Sequence, residues 1–206
     1  MVALILANLI LLGSSRLRLW VRVVAVQGLM LGLLPIVAGA GGGTVEVMLL
    51  AAVSIGLRGL CFPWLLSRVL RDVNVRHEVE PFVGYTFSLL FGVLALVGSV
   101  WVGSRTEFAF HVASPLMIPV AIFTVAVGLF LIVSRKKAIS QVMGYLVIEN
   151  GIYVLGVSLM EEVPVLVELG VLLDAFVAVF VMSIATYHIS REFDHIDVHE
   201  LDTLKG

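Results

Sequence analysis

Charge and cysteine are what this sequence has least of. Only 14% of its 206 residues are Asp, Glu, Lys or Arg, and Cys61 alone cannot form an internal disulfide. Soluble domains carry about a quarter charged residues. At 14% charged, 60% hydrophobic and a mean hydropathy of +1.11, an ordinary soluble globular domain is excluded. The same figures exclude a disordered chain, a coiled coil and a cysteine-rich secreted scaffold. A formal net charge of −2 with no long basic run gives no footing for nucleic acid. Also lacking are a P-loop, an HExxH motif, a helical His pair for haem and a Ser/His/Asp arrangement with a plausible pocket. The last apolar stretch holds no Lys for a retinal Schiff base, which excludes a light-driven pump. What remains is an all-α, polytopic membrane helix bundle.

A spanning helix needs about 20 predominantly apolar residues, so ionisable residues divide the chain into windows. Met1 to Ser15 is charge-free but short; Val23 to Val45, Pro81 to Ser104 and Phe108 to Ser134 are charge-free and long enough. Three more reach spanning length only by including charge: Glu46 to Arg68 with Arg58, Lys137 to Glu161 with Glu149, and Glu162 to Arg191 with Glu168 and Asp174. In the first window Arg16, Arg18 and Arg22 follow the apolar stretch instead of preceding it, unlike a signal peptide. It reads as a retained first helix, giving about seven transmembrane helices, or six if that short helix does not cross.

Lys and Arg accumulate in cytoplasmic loops. Alternating the loops places Arg16, Arg18, Arg22, then Arg68, Arg71, Arg76, then Arg135, Lys136, Lys137, then Arg191 and Lys205 on one side, 11 of the 13 basic residues. The N-terminus is then outside and the C-terminus cytoplasmic. The outer segments Gly39 to Thr44 and Met160 to Pro164 leave no room for an extramembrane domain.

An ionised side chain at the bilayer centre costs a few kcal/mol even on mild scales, so it faces a bundle interior or a water path and marks a candidate site. Glu149 is twelve residues from both Lys137 and Glu161, about 18 Å from each end at about 1.5 Å per residue. Asp174 is twelve residues after Glu162, and Arg58 twelve after Glu46. The three form a row near the midplane. Glu168 lies about 9 Å outward of Asp174 and about 120° around the helix. Gln141, Tyr145, Glu149 and Tyr153 recur every four residues along a drifting face, and Asn150 lies about 100° away, toward a different neighbour. Burial favours a neutral carboxyl and a nearby cation favours the charged form. That competition suits a proton relay, while buried polar residues also serve as interhelical glue.

Pro115 and Pro119 fall at the start of the fifth helix, where Pro is tolerated; Pro35 and Pro63 come late in theirs, where they kink. Cys61 reads as an apolar filler. His195 and His199 lack a third ligand and make no metal site. Phe193, Ile196, Leu201 and Leu204 give the tail an apolar stripe, for a cytoplasmic partner or the membrane surface.

The stretch from Arg135 to Gly156, with Gly-Tyr-Leu-Val-Ile-Glu-Asn-Gly at its centre, and the later Leu-Gly-Val-Leu-Leu-Asp-Ala string resemble component E of the hydrogenase-4 and formate-hydrogenlyase type membrane complexes. The last three helices of that family are similar to the NuoK and MrpC subunits. The resemblance is strongest over Leu116 to Arg191, and Arg58 to Leu65 looks like the family's third helix. It implies an N-terminal four-helix region (1–112), a NuoK-like three-helix region (113–190) and a cytoplasmic tail (191–206). In NuoK-like subunits two buried glutamates carry protons; the second matches Asp174, while the first falls on Leu146, one turn before Glu149. The resemblance further implies a non-catalytic subunit of a complex I-related complex in a prokaryotic inner membrane, with no cofactor of its own. A NiFe centre and Fe-S clusters would sit in partner subunits. Those partners would be antiporter-like subunits (NuoL/M/N or MrpA/D type), a NuoH-like subunit and a peripheral hydrogenase-like arm, with lipids around them. Glu149, Asp174, Glu168 and Arg58 are then expected to relay protons or Na⁺, supported by Tyr145, Tyr153, Asn150 and Gln141. The alternatives are a structural scaffold bridging antiporter-like subunits and a free-standing transporter; the latter lacks a visible inverted repeat.

Overall fold

The computed structural model describes residues 1–34, 48, 52, 55–64, 66–67, 83–105, 114–135 and 138–159. Glu168, Asp174, the Glu161–Glu162 hairpin, Pro35, the Arg68–Arg76 loop and the tail with His195 and His199 lie outside the described residues. The elements are all helices: α1 (Val2–Gly13), α2 (Leu17–Gly32), a π-helical segment (Ile55–Cys61), α3 (Tyr85–Arg105), α4 (Met117–Ser134) and α5 (Ala138–Leu159). By length and composition, α3 and α4 can cross a membrane. The 12 residues of α1 reach about 18 Å, short of a hydrocarbon core of about 30 Å.

The first two helices are joined by a tighter turn than the charge pattern suggests. Ser14 and Arg16 are extended, and α2 begins at Leu17, so Arg18 and Arg22 belong to that helix and not to a loop. Both are exposed, as expected for long side chains that lay their stems along a helix and keep their heads in water. Trp20 Nε1 donates to the Ser14 carbonyl at 3.1 Å and fixes the turn. Arg135, at the end of α4, is fully buried and donates through Nη2 to the Leu12 carbonyl at 3.4 Å, so the α1–α2 and α4–α5 turns lie at the same end of the bundle.

Proline chemistry explains two local features. Pro63 has no N–H, and in an α-helix its ring would press on the carbonyl of Gly59. The chain takes the wider π-helical turn through Ile55–Cys61 just before it, so the kink expected of Pro63 is realised as a change of helix type. Pro119 is the third residue of α4, inside the turn whose N–H groups have no intrahelical partner.

Lipid tails are as apolar as leucine, so close van der Waals packing replaces hydrophobic drive between membrane helices, and small residues allow it. The α4–α5 hairpin is built this way: a Cβ added to Gly144 would stand 3.0 Å from both the Gly128 carbonyl oxygen and the Ile132 nitrogen. At Gly28 the backbone of α2 meets the π-helical segment, an added Cβ falling 2.6 Å from the Arg58 carbonyl oxygen. By contrast α3 buries a narrow face of Ser88, Gly92 and Ser99 and exposes Phe87, Leu94, Val97 and Trp101. The buried apolar residues form two clusters. One gathers Leu11, Trp20, Phe62, Phe123, Val127 and Met143; the other gathers Leu4, Leu31, Met117, Val120, Ala121 and Val154. Both join residues before and after position 112, so the packing is continuous across the expected regional boundary.

Gly144→Ala is expected to destabilise the chain by about 1–3 kcal/mol, because two of the three nearest obstacles are backbone atoms that cannot rotate away. Gly98→Ala is the control, since its added Cβ meets nothing within 4 Å. Thermal unfolding in detergent of the two variants against the parent chain measures the difference.

Candidate functional site

Between the two apolar clusters lies a layer of polar side chains contributed by five helical elements. On α1, Asn8 falls between Leu4 of one cluster and Leu11 of the other; on α2, Gln27 falls between Leu31 and Val24; on α4, Thr124 falls between Val120 and Val127. The π-helical segment supplies Arg58, and α5 supplies Glu149 and Asn150. All six are buried, Arg58 and Glu149 to 3% and 5% exposure.

Arg58 is the hub. Its Nη2 lies 3.2 Å from Glu149 Oε1, its Nη1 donates to Asn150 Oδ1 at 3.4 Å, and the guanidinium stands 4.3 Å from the centre of the Tyr153 ring. Three residues of α5 reach one guanidinium because of helix geometry: relative to Glu149, Asn150 is turned by about 100° and Tyr153 by about 40°, which puts Tyr153 between the other two. The ring face adds a cation–π contact. Among the described residues Arg58 Nε has no hydrogen-bond partner, so the buried guanidinium keeps a donor that they do not occupy.

From Asn150 the hydrogen bonds continue in a single direction. Asn150 Nδ2 donates to Gln27 Oε1 at 3.4 Å, Gln27 Nε2 to Asn8 Oδ1 at 2.9 Å, Asn8 Nδ2 to Thr124 Oγ1 at 2.9 Å, and the Thr124 hydroxyl to the Val120 carbonyl at 2.7 Å. The direction has a cause. Arg has five donors and no acceptor, so Asn150 presents its oxygen to Arg58 and its NH₂ group to the next residue, and each amide in turn inherits the same sense. The array ends on a backbone carbonyl, which accepts and cannot donate.

The structure thus brings together Arg58, Glu149, Asn150 and Tyr153 of the residues singled out from the sequence. Asn150 shares Arg58 with Glu149, because the arginine spans the roughly 100° between them, and its other end bonds a different neighbour, Gln27 on α2. Gln141 is placed elsewhere: its Nε2 donates to the Arg135 carbonyl at 3.4 Å, across the α4–α5 turn. A four-residue spacing drifts by about 40° per step, so Gln141 is about 80° from Glu149 on the side away from Asn150. Tyr145 is half-buried one step from Glu149. Asn8, Gln27 and Thr124 were missed because the windows were cut at ionisable residues, although an amide in each of two otherwise apolar stretches was a visible signal.

Comparison with known proteins decides the family. Residues 116–206 match the model of the NADH-ubiquinone/plastoquinone oxidoreductase chain 4L family. Over 213 aligned residues the chain is 30% identical to an uncharacterized protein of Mycobacterium tuberculosis, covering 98% of this chain and 92% of that one. It is 26% identical over 161 residues to hydrogenase-4 component E of Escherichia coli and of Shigella flexneri, covering 78% of this chain and 74% of theirs. The chain belongs to the hydrogenase-4 component E family. No solved structure matches it. Within this family frame, Leu146, where the resemblance puts the first NuoK-like glutamate, is buried in the apolar cluster with Phe123 and Met143. The carboxylate stands one turn further, at Glu149, in the polar layer.

Removing one partner of a buried ion pair costs about 3–5 kcal/mol, whereas replacing both by apolar groups of similar size is often neutral. Arg58→Met alone is therefore expected to lower chain abundance in membranes sharply, and adding Glu149→Met is expected to restore most of it. Quantitative immunoblotting of the single and double variants checks this.

Proposed function

We propose that this chain is a non-catalytic integral membrane subunit of a complex I-related respiratory or hydrogenase complex, and that its buried charges take part in proton or Na⁺ translocation. The observation that carries this reading is the Arg58–Glu149 pair, buried in a polar layer between two apolar clusters. A neutral amide would join the helices without the desolvation cost of two charges. The spare Nε of Arg58 supports the reading, because a guanidinium that one carboxylate leaves unsaturated can engage a second. Asp174, which residue counting puts at matching depth, with Glu168 as a step outward, is the second carboxylate in this proposal. Protonation of Glu149 then releases Arg58 toward Asp174, and deprotonation draws it back.

The redox chemistry belongs to partners. A hydrogenase-like arm holding the NiFe centre and Fe-S clusters supplies the energy, and antiporter-like and NuoH-like subunits flank this chain in the membrane. We propose about seven spans with the N-terminus outside, or six if the short α1 does not cross, and a cytoplasmic C-terminus, in the inner membrane of a prokaryotic cell. A scaffold role has its own supporting observation in the chain from Asn150 through Gln27 and Asn8 to Thr124. Amides bond well but exchange protons poorly, so this half of the layer fixes geometry and does not conduct.

Glu149→Gln and Asp174→Asn separate the two roles. The relay reading expects the complex to assemble with normal electron transfer and to lose most of its coupled ion translocation, assayed by pH- or Na⁺-sensitive dyes in sealed vesicles. Intact assembly with full translocation in both variants contradicts it, and loss of assembly alone favours the scaffold.

A further inference from the structure

The ion pair does not hold its own geometry. Arg58 Nη1 depends on Asn150 Oδ1, yet a free asparagine amide turns over readily, and the turned form would face the guanidinium with its NH₂ group, donor against donor. What keeps Asn150 in its useful orientation is Gln27, whose Oε1 accepts from Asn150 Nδ2. Gln27 is held in turn by Asn8, Asn8 by Thr124, and Thr124 by a backbone carbonyl that cannot turn over. The array is therefore ordered from both ends, by a group that only donates and a group that only accepts. It is tight at the backbone end, with contacts of 2.9, 2.9 and 2.7 Å, and looser at the arginine end, where both are 3.4 Å. Beside Gln27, Gly28 lets the α2 backbone touch the Arg58 backbone, so the two ends of this short lever are joined mechanically as well.

The geometry points to Gln27, backed by Asn8 and Thr124, as the positioning residue of the Arg58–Glu149 pair, acting through Asn150 to set where the guanidinium rests. This builds on the reading of that pair as part of ion translocation. Gln27 touches neither charge and moves no proton itself. Its removal leaves Asn150 free to turn, and Arg58 loses its Nη1 acceptor and shifts relative to Glu149.

The test uses the assembled complex purified from cells carrying Gln27→Met, with Thr124→Val as a milder variant that removes only a hydroxyl. The Arg58 guanidinium stretch is identified as the infrared band that changes in Arg58→Lys. The expected results are a shifted band in Q27M, a smaller shift of the same sense in T124V, and ion translocation several-fold slower in Q27M at unchanged electron transfer. In the R58K background Q27M is expected to add no further loss, because its effect passes through the arginine. An unshifted band in both variants overturns the inference, as does a Q27M loss that is undiminished in the R58K background, which marks Gln27 as independent interhelical glue. Full translocation in E149Q refutes the reading of the ion pair, and the band still decides whether Gln27 positions Arg58.

Discussion

A charged pair in a membrane bundle has to be surrounded by groups that accept its charge, and that requirement organises the described part of this chain. Arg58 offers five donors at a buried position, and each donor left without an acceptor costs free energy. Glu149, Asn150 and the Tyr153 ring answer part of that demand from a single helix. Gln27, Asn8 and Thr124 carry the polarisation onward to a backbone carbonyl, so three further side chains are ordered by one cation. The two apolar clusters lie on either side of this layer. Glycine contacts then let the backbones come close enough for such short side chains to meet: without the approach at Gly28, α2 would stand off from the π-helical segment and Gln27 would fall out of reach of Asn150.

Much of this layer can be traced in the amino-acid sequence, and its gaps have physical causes. Counting about 1.5 Å per residue from the flanking charges is enough to bring Arg58 and Glu149 to one level, since both windows have a charge at each end to measure from. Asn8 and Gln27 sit in stretches where the flanking charges lie on one side only or far away, and depth arithmetic has nothing to grip. The π-helical turn depends on backbone bonding that composition does not encode, although Pro63 marks its place. Gln141 shows the opposite error: a run of four-residue spacings looks like a stripe, but its drift of about 40° per step carries the far end to another neighbour. Arg18 and Arg22 looked like loop residues because they are charged, and nothing in that stretch breaks a helix.

Membership of the hydrogenase-4 component E family gives the layer a comparative meaning. The match to the chain 4L family covers 116–206 only, while the polar layer draws Asn8, Gln27 and Arg58 from the portion before it. The carboxylate at Glu149 is thus tied to a cation that the matched portion does not contain. This offers a reason for a carboxylate one turn away from Leu146: position 146 faces the apolar cluster with Phe123, and position 149 faces the arginine. A carboxylate follows its counter-charge, and here the counter-charge comes from a helical segment outside the matched portion.

The most direct test is a cryo-electron microscopy map of the assembled complex in which side chains are visible at the centre of this subunit. The account predicts continuous density between the Arg58 guanidinium and the Glu149 carboxylate at about 4 Å or less, with Asn150, Gln27 and Asn8 in line behind them. A map in which Glu149 faces lipid or another helix, with Arg58 beyond the reach of about 6 Å at which one charge strongly affects another, would contradict it.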